Sequence, residues 1–158
     1  MHKVLFVCIH NSARSQMAEA YLKKFGGPEF EVQSAGFEPT DINPLVVEVM
    51  LEDGIDLTTK STQSVFELFK SGRVFTHVIT VCDDSTENKC PIYPGMTHRM
   101  HLPFPDPGKL TGSHEEQLGQ TRRIRDSIKK AIQEFIAWAQ DDAPLGDTWT
   151  VRQPGSNP

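Results

Sequence analysis

This sequence has no run approaching the ~18 apolar residues of a membrane span. The apolar stretch after Met1 is short, and no small-residue cleavage site follows it, so a secretion signal is not expected. Cysteine is scarce: three residues, an odd number, cannot make a disulfide scaffold and read instead as cytoplasmic thiols with chemical roles. Basic charge is in deficit, with 16 Lys and Arg against 21 Asp and Glu, which argues against a general nucleic-acid binder. There is no internal repeat and no interior linker. The 158 residues suffice for one domain with a sizeable core. We place that domain at residues 1–141, expect a monomer, and read the polar, aperiodic stretch 142–158 as a mobile tail.

What is present alternates between two kinds of pattern. Val4 to Val7 are continuously apolar, as in a central parallel strand covered on both faces. A helix is predicted from about Ser12 to Phe25, with Ala18, Tyr21, Leu22 and Phe25 on one face and Gly26-Gly27-Pro28 ending it. Phe30 to Ser34 reads as a second strand. Asn43-Pro44 opens a helix carrying Leu45, Val46, Val49 and Met50 and stopping at Gly54. Ser64 with Glu67 forms a capping box for a short helix ending near Gly72. Thr76 to Val81 and His98 to Leu102 are the third and fourth strands. Ser113 with Glu116 opens a long last helix with Ile124, Ile128, Ile132, Phe135 and Ala139 on one face. The basic residues at its start, Arg122, Arg123, Arg125, Lys129 and Lys130, read as a solvated face. Strands alternating with helices predict an α/β fold: three layers, α-β-α, around a four-stranded parallel sheet with right-handed connections. Ligands in such folds sit beyond the C-terminal strand ends.

The chemistry concentrates at one such end. The stretch Val4-Leu-Phe-Val-Cys-Ile-His-Asn-Ser-Ala-Arg-Ser15 is a strand, a tight loop and a helix start. The first free amides of a helix carry partial positive charge and bind oxyanions. A cysteine facing them has its thiolate stabilised and becomes a nucleophile. The loop Ile9, His10, Asn11, Ser12, Ala13, Arg14 and Ser15 is therefore the candidate oxyanion site, with Arg14 adding a planar fork of donors. Cys-x5-Arg alone arises by chance, but here the strand, loop and helix start coincide. Asp106, stiffened within Pro103-Phe-Pro-Asp-Pro-Gly108, is the candidate general acid, although Asp-Pro is also a common turn. Cys82 and Cys90 bracket a polar segment, and two thiols near a nucleophilic third suggest relay by thiol–disulfide exchange. A rival reading takes Cys82, Cys90, His98 and His101 as zinc ligands. The seven-residue gap between the cysteines and the strand position of His101 disfavour it.

The motifs CIHNSARSQMAEA, VQSAG, CDDSTENKCP, PDP and RRIRDSIKKAI, spread over about residues 3 to 140, resemble the thioredoxin-coupled arsenate reductases of the low-molecular-weight protein tyrosine phosphatase family. The first motif and the Asp-Pro are shared with the phosphatases; the cysteine pair and the Arg-rich helix point to the reductases. The resemblance implies that Cys8 is the nucleophile, Arg14 the oxyanion clamp, Asp106 the general acid, and Cys82 and Cys90 the second and third redox thiols. It further implies that Ser15 hydrogen-bonds the thiolate, that Asn11 braces the loop, and that thioredoxin is the external donor, with no bound cofactor. Phosphate and sulfate would compete with arsenate. The alternatives are a phosphatase for phosphotyrosine or small phosphomonoesters and a non-enzymatic oxyanion- or metal-binding module. Three departures stand out. Gly108, Lys109 and Leu110 replace the tyrosines that follow Asp-Pro in the phosphatases, and the Cys82–Cys90 gap is one residue longer than usual in the reductases. Some members bind potassium through asparagine, glutamate, serine and aspartate. Asn11, Glu19 and Ser34 match, but Gln63 replaces the aspartate, so at most a weak potassium site is implied.

Overall fold

The computed structural model describes residues 2–81 and 98–140. Its strands are β1 (His2–Cys8), β2 (Phe30–Gly36), β3 (His77–Thr80) and β4 (His98–His101). Its helices are α1 (Arg14–Gly26), α2 (Pro44–Leu51), α3 (Val65–Lys70) and α4 (His114–Gln140). Two short 3-10 turns, Gly27–Glu29 and Pro107–Lys109, complete the regular structure of the described residues.

The sheet order is β2-β1-β3-β4, and every pair is parallel. β1 lies in the interior with Val4 through Val7 fully buried, so its continuous apolar run is explained by cover on both faces. Side chains alternate across the pleat. Val4, Phe6 and Cys8 join α1, α2 and α4 in the larger core, while Leu5 and Val7 join Val65, Leu68 and Phe75 around α3 in the smaller one. These are the expected three layers.

Local signals act where the sequence places them. The Asn43 side chain caps α2 by accepting from Leu45 N–H at 2.9 Å. Ser64 Oγ accepts from Phe66 and Glu67, and Ser113 Oγ accepts from Glu116 N–H at 3.1 Å. Gly72 adopts φ 76°, the left-handed turn that ends a helix at little cost only for glycine. Two expectations need correction. Phe25 is not in the core; it is 37% exposed, stacks on Tyr21 and lies under the Lys129 ammonium. The basic face of α4 is not wholly solvated either. Arg125 is buried and donates to Val49 O and Glu52, Arg122 pairs with Glu52, and Lys129 reaches Asp53. These contacts tie α4 to the end of α2, because a long guanidinium can bury its stem and still satisfy carboxylates and carbonyls. Residues 141–158 lie outside the described residues, as do Cys82 and Cys90.

Candidate active site

β1 ends at Cys8, and α1 begins six residues later at Arg14 rather than at Ser12. The intervening loop is fixed from its outer side. The carbonyls of Cys8, Ile9, His10 and Ser12 accept hydrogen bonds from Phe37, Glu38, Thr40 and Asn43. In a trans peptide the N–H points opposite to the C=O of the same unit. The N–H groups of Ile9, His10, Asn11 and Ala13 are therefore turned inward, toward the sulfur side. One of them is caught in the act: Asn11 N–H donates to Cys8 Sγ at 3.1 Å. No side chain caps α1, whose Ncap is Ala13, so its first amides are also without a side-chain acceptor. This set of convergent donors suits a tetrahedral oxyanion.

Cys8 is buried, 2% exposed, with Ser15 Oγ at 2.9 Å from its sulfur. A sulfur anion accepts such bonds better than a thiol does. Arg14 is 4% exposed. Its Nη1 donates to Phe104 O at 3.1 Å, and its Nη2 lies 3.7 Å from Asp106 Oδ2. The other Asp106 oxygen accepts from Gly108 N–H at 2.8 Å. The loop after β4 is thus held against the guanidinium, and the Asp106 carboxylate stands beside Arg14 of the anion loop. His10 turns outward, its Nδ1 3.0 Å from Glu38 O, and lines the rim.

Asn11 is the centre of the bracing. Its φ of 54° is a left-handed conformation in which asparagine is enriched. Its side chain donates to Ser15 Oγ and Ser34 Oγ and accepts from Gln63 N–H and Gln16 Nε2. Behind it Gly36 must remain glycine, since a Cβ there would stand 2.7 Å from Asn11 N and 2.8 Å from Ile9 O. Asn11 and Ser34 stand out in the sequence by themselves, whereas Gln16, Gly36 and Phe104 appear there only inside motifs and Lys60 in none. These residues act through tertiary contacts and leave no local pattern.

The residues matched to a potassium site do not fit that ion as arranged. Glu19 Oε2 is occupied by the Lys60 ammonium at 2.8 Å. The Asn11 side chain presents its NH2, not its oxygen, to Ser34; the backbone N–H of Gln63 fixes that orientation. Gln63 likewise gives an NH2 to Ser34 O. Among the described residues no group of three or more His, Cys, Asp or Glu could hold a metal. The zinc reading cannot bring both histidines to one ion: His98 and His101 lie on opposite faces of β4, the first stacked on His77 and the second bonded to Thr80. No helix of the described residues is long and apolar enough to cross a membrane.

Fold and loop together define a class: α/β proteins in which a strand-end thiol sits inside an oxyanion-shaped loop with an arginine and a carboxylate. Residues 3–144 match the family described as low molecular weight phosphotyrosine protein phosphatase, and the chain belongs to that family. An arsenate reductase of Halalkalibacterium halodurans is 39% identical over 133 residues, 84% of this chain and 93% of the relative. A solved arsenate reductase in a phosphate-binding state superposes with TM-score 0.68 at 28% identity, over 87% of this chain and 98% of that one. A thioredoxin-dependent arsenate reductase of Corynebacterium glutamicum gives TM-score 0.57 at 31% identity, covering 85% of this chain and 63% of that one.

Proposed function

We propose that this chain reduces arsenate to arsenite with thiols as its only electron source, and so serves arsenic detoxification. The observation that carries the reading is the hydrogen-bonded Cys8 sulfur within a loop of inward amides, faced by Arg14 and Asp106. Relatives named arsenate reductases favour arsenate as the tetrahedral anion of this reading.

The Cys8 thiolate attacks arsenic, and Asp106 protonates the departing oxygen, which leaves as water. Arg14 and the loop amides hold the remaining oxygens in the transition state. Cys82 then attacks the Cys8 sulfur. The sulfur–arsenic bond breaks with its electron pair on arsenic, so As(V) becomes As(III) and a Cys8–Cys82 disulfide forms. Cys90 attacks Cys82, frees Cys8 and closes a Cys82–Cys90 disulfide. A thioredoxin-like dithiol reduces that bond in a cytoplasmic setting. No bound cofactor is required, because two thiols supply both electrons. Supporting the relay, Val81 N–H bonds to Val7 O at 2.9 Å, so the residues preceding Cys82 and Cys8 are neighbours.

The test supplies arsenate, NADPH, thioredoxin and thioredoxin reductase and follows NADPH oxidation, with aryl phosphate hydrolysis measured alongside. Arsenate-dependent oxidation supports the reading. Aryl phosphate turnover without it makes the chain a phosphatase that uses Cys8, Arg14 and Asp106 alone.

A further inference from the structure

Glu19 is a carboxylate in the wrong place for its charge. It lies on α1, is 2% exposed, and has no part in the chemistry above. A buried carboxylate is costly unless it is paired and hydrogen-bonded. Two lysines approach it. Lys60 Nζ is 2.8 Å from Oε2, and Lys23 Nζ, on a far more exposed side chain, is 3.5 Å from Oε1. Lys60 is therefore the principal partner.

The pair is the outer end of a continuous hydrogen-bonded line. Ser34 Oγ donates to Glu19 Oε2 at 3.4 Å and accepts from Asn11 Nδ2 at 2.9 Å. Asn11 Nδ2 also donates to Ser15 Oγ at 2.8 Å, and Ser15 lies against the Cys8 sulfur. The segment that carries Lys60 meets the same hub twice more, through Gln63 N–H on Asn11 Oδ1 and Gln16 Nε2 on Ser61 O. Lys60 and Glu19 both line an open pocket of about 480 Å3.

We propose that Lys60 is a positioning residue of the anion loop. Its ammonium is the resident cation of Glu19 and, through Ser34 and Asn11, holds the loop in its anion-binding conformation. A free monovalent ion is then superfluous. The inference rests on the functional reading only in that the Cys8 loop binds an oxyanion; it does not require arsenate to be the substrate.

The test reads anion binding without turnover. Cys8 alkylation by iodoacetamide is followed by peptide mass spectrometry, with inorganic phosphate as protector, at constant ionic strength. If phosphate fails to protect wild-type Cys8 at all, the anion-loop reading itself falls, and the proposal with it. Given protection, wild type should respond equally in sodium and potassium chloride. Lys60→Met should need about tenfold more phosphate, the low end for a residue acting through another. Lys60→Arg should stay within about twofold of wild type, and methylammonium should restore part of the Lys60→Met loss while leaving wild type unchanged. Because Lys60→Met could unfold the segment, Glu19→Gln provides a second arm: with the carboxylate neutralised, adding Lys60→Met should have little further effect. Protection unchanged in Lys60→Met overturns the proposal. So does a loss that neither arginine, methylammonium nor Glu19→Gln relieves.

Discussion

The Ser15 hydroxyl is placed to donate to a Cys8 thiolate, which has no hydrogen of its own to give. The two atoms are 2.9 Å apart, a distance that alone leaves the direction open. Asn11 Nδ2 donates to the same Ser15 oxygen at 2.8 Å, and Asn11 is itself oriented by the backbone N–H of Gln63. Ser15 thus receives one hydrogen from Asn11 and, facing a thiolate, has its own hydrogen left for the sulfur. Ser15→Ala should slow alkylation of Cys8 at neutral pH by about tenfold, as expected for losing one charge-assisted hydrogen bond. Ser15→Thr, which keeps the hydroxyl, should be affected less.

Asp106 and Arg14 divide the work beside the sulfur. Asp106→Asn should slow formation of the first arsenic adduct by about 10²- to 10⁴-fold, the span of general acid catalysis. It should barely move the melting temperature, because asparagine can still accept the bond from Gly108 N–H that Asp106 Oδ1 accepts. Arg14→Ala should weaken phosphate competition and turnover together. Rapid-quench kinetics and thermal unfolding of the same samples separate these effects. A variant that unfolds while its folded fraction reacts normally makes Asp106 structural.

Gly36→Ala tests the close approach behind the loop. The added carbon would meet backbone atoms of Asn11 and Ile9, which cannot swing aside as a side chain can. Phosphate binding by calorimetry should fall by about tenfold or more, with loss of stability on the order of 1–3 kcal/mol from overpacking. Unchanged phosphate affinity would show that the loop moves freely away from β2.

His77 predicts an acid-sensitive fold remote from the site. Its ring is 4% exposed, stacked on His98 at 4.7 Å and edge-on to His2 at 5.6 Å. Burial, then the neighbouring His98 and His2, push it down to about 4. The unfolded chain binds this proton near its ordinary value of 6.5, so between the two values the unfolded state carries more protons. The stability contributed by neutral His77 is complete above that window and is lost as the pH falls through it. Urea unfolding at about pH 7 and about pH 5 should differ by about 2 kcal/mol from this group, and His77→Phe should flatten the difference.

The fold was legible because its cues are local. Val4–Val7, the Asn43-Pro44 cap, Ser64 and Ser113 each act within a few residues of themselves, and the parallel order follows from strands alternating with helices. Cys8, Arg14 and Asp106 were legible as a spacing and a stiff dipeptide. What stayed hidden depends on partners distant in sequence. Phe104 O meets Arg14 across 90 residues, and Gln63 N–H meets Asn11 across 52. Phe25 kept helical periodicity yet found no core, because the side of α1 it occupies ends against Lys129 rather than a strand. Lys60 looked like any loop lysine until the fold set it on a buried carboxylate.

The central claim is that arsenate takes its two electrons from cysteines of this chain in a fixed order. The most direct measurement mixes fully reduced protein with excess arsenate and no external donor, then counts arsenite and maps disulfides. The account predicts about one arsenite per chain, with a Cys82–Cys90 bond in the wild type and a trapped Cys8–Cys82 bond in Cys90→Ser. Cys82→Ser should hold the arsenic adduct on Cys8 and release none. Arsenite formed by Cys8→Ser, or formed by the wild type with all three cysteines still reduced, would contradict it.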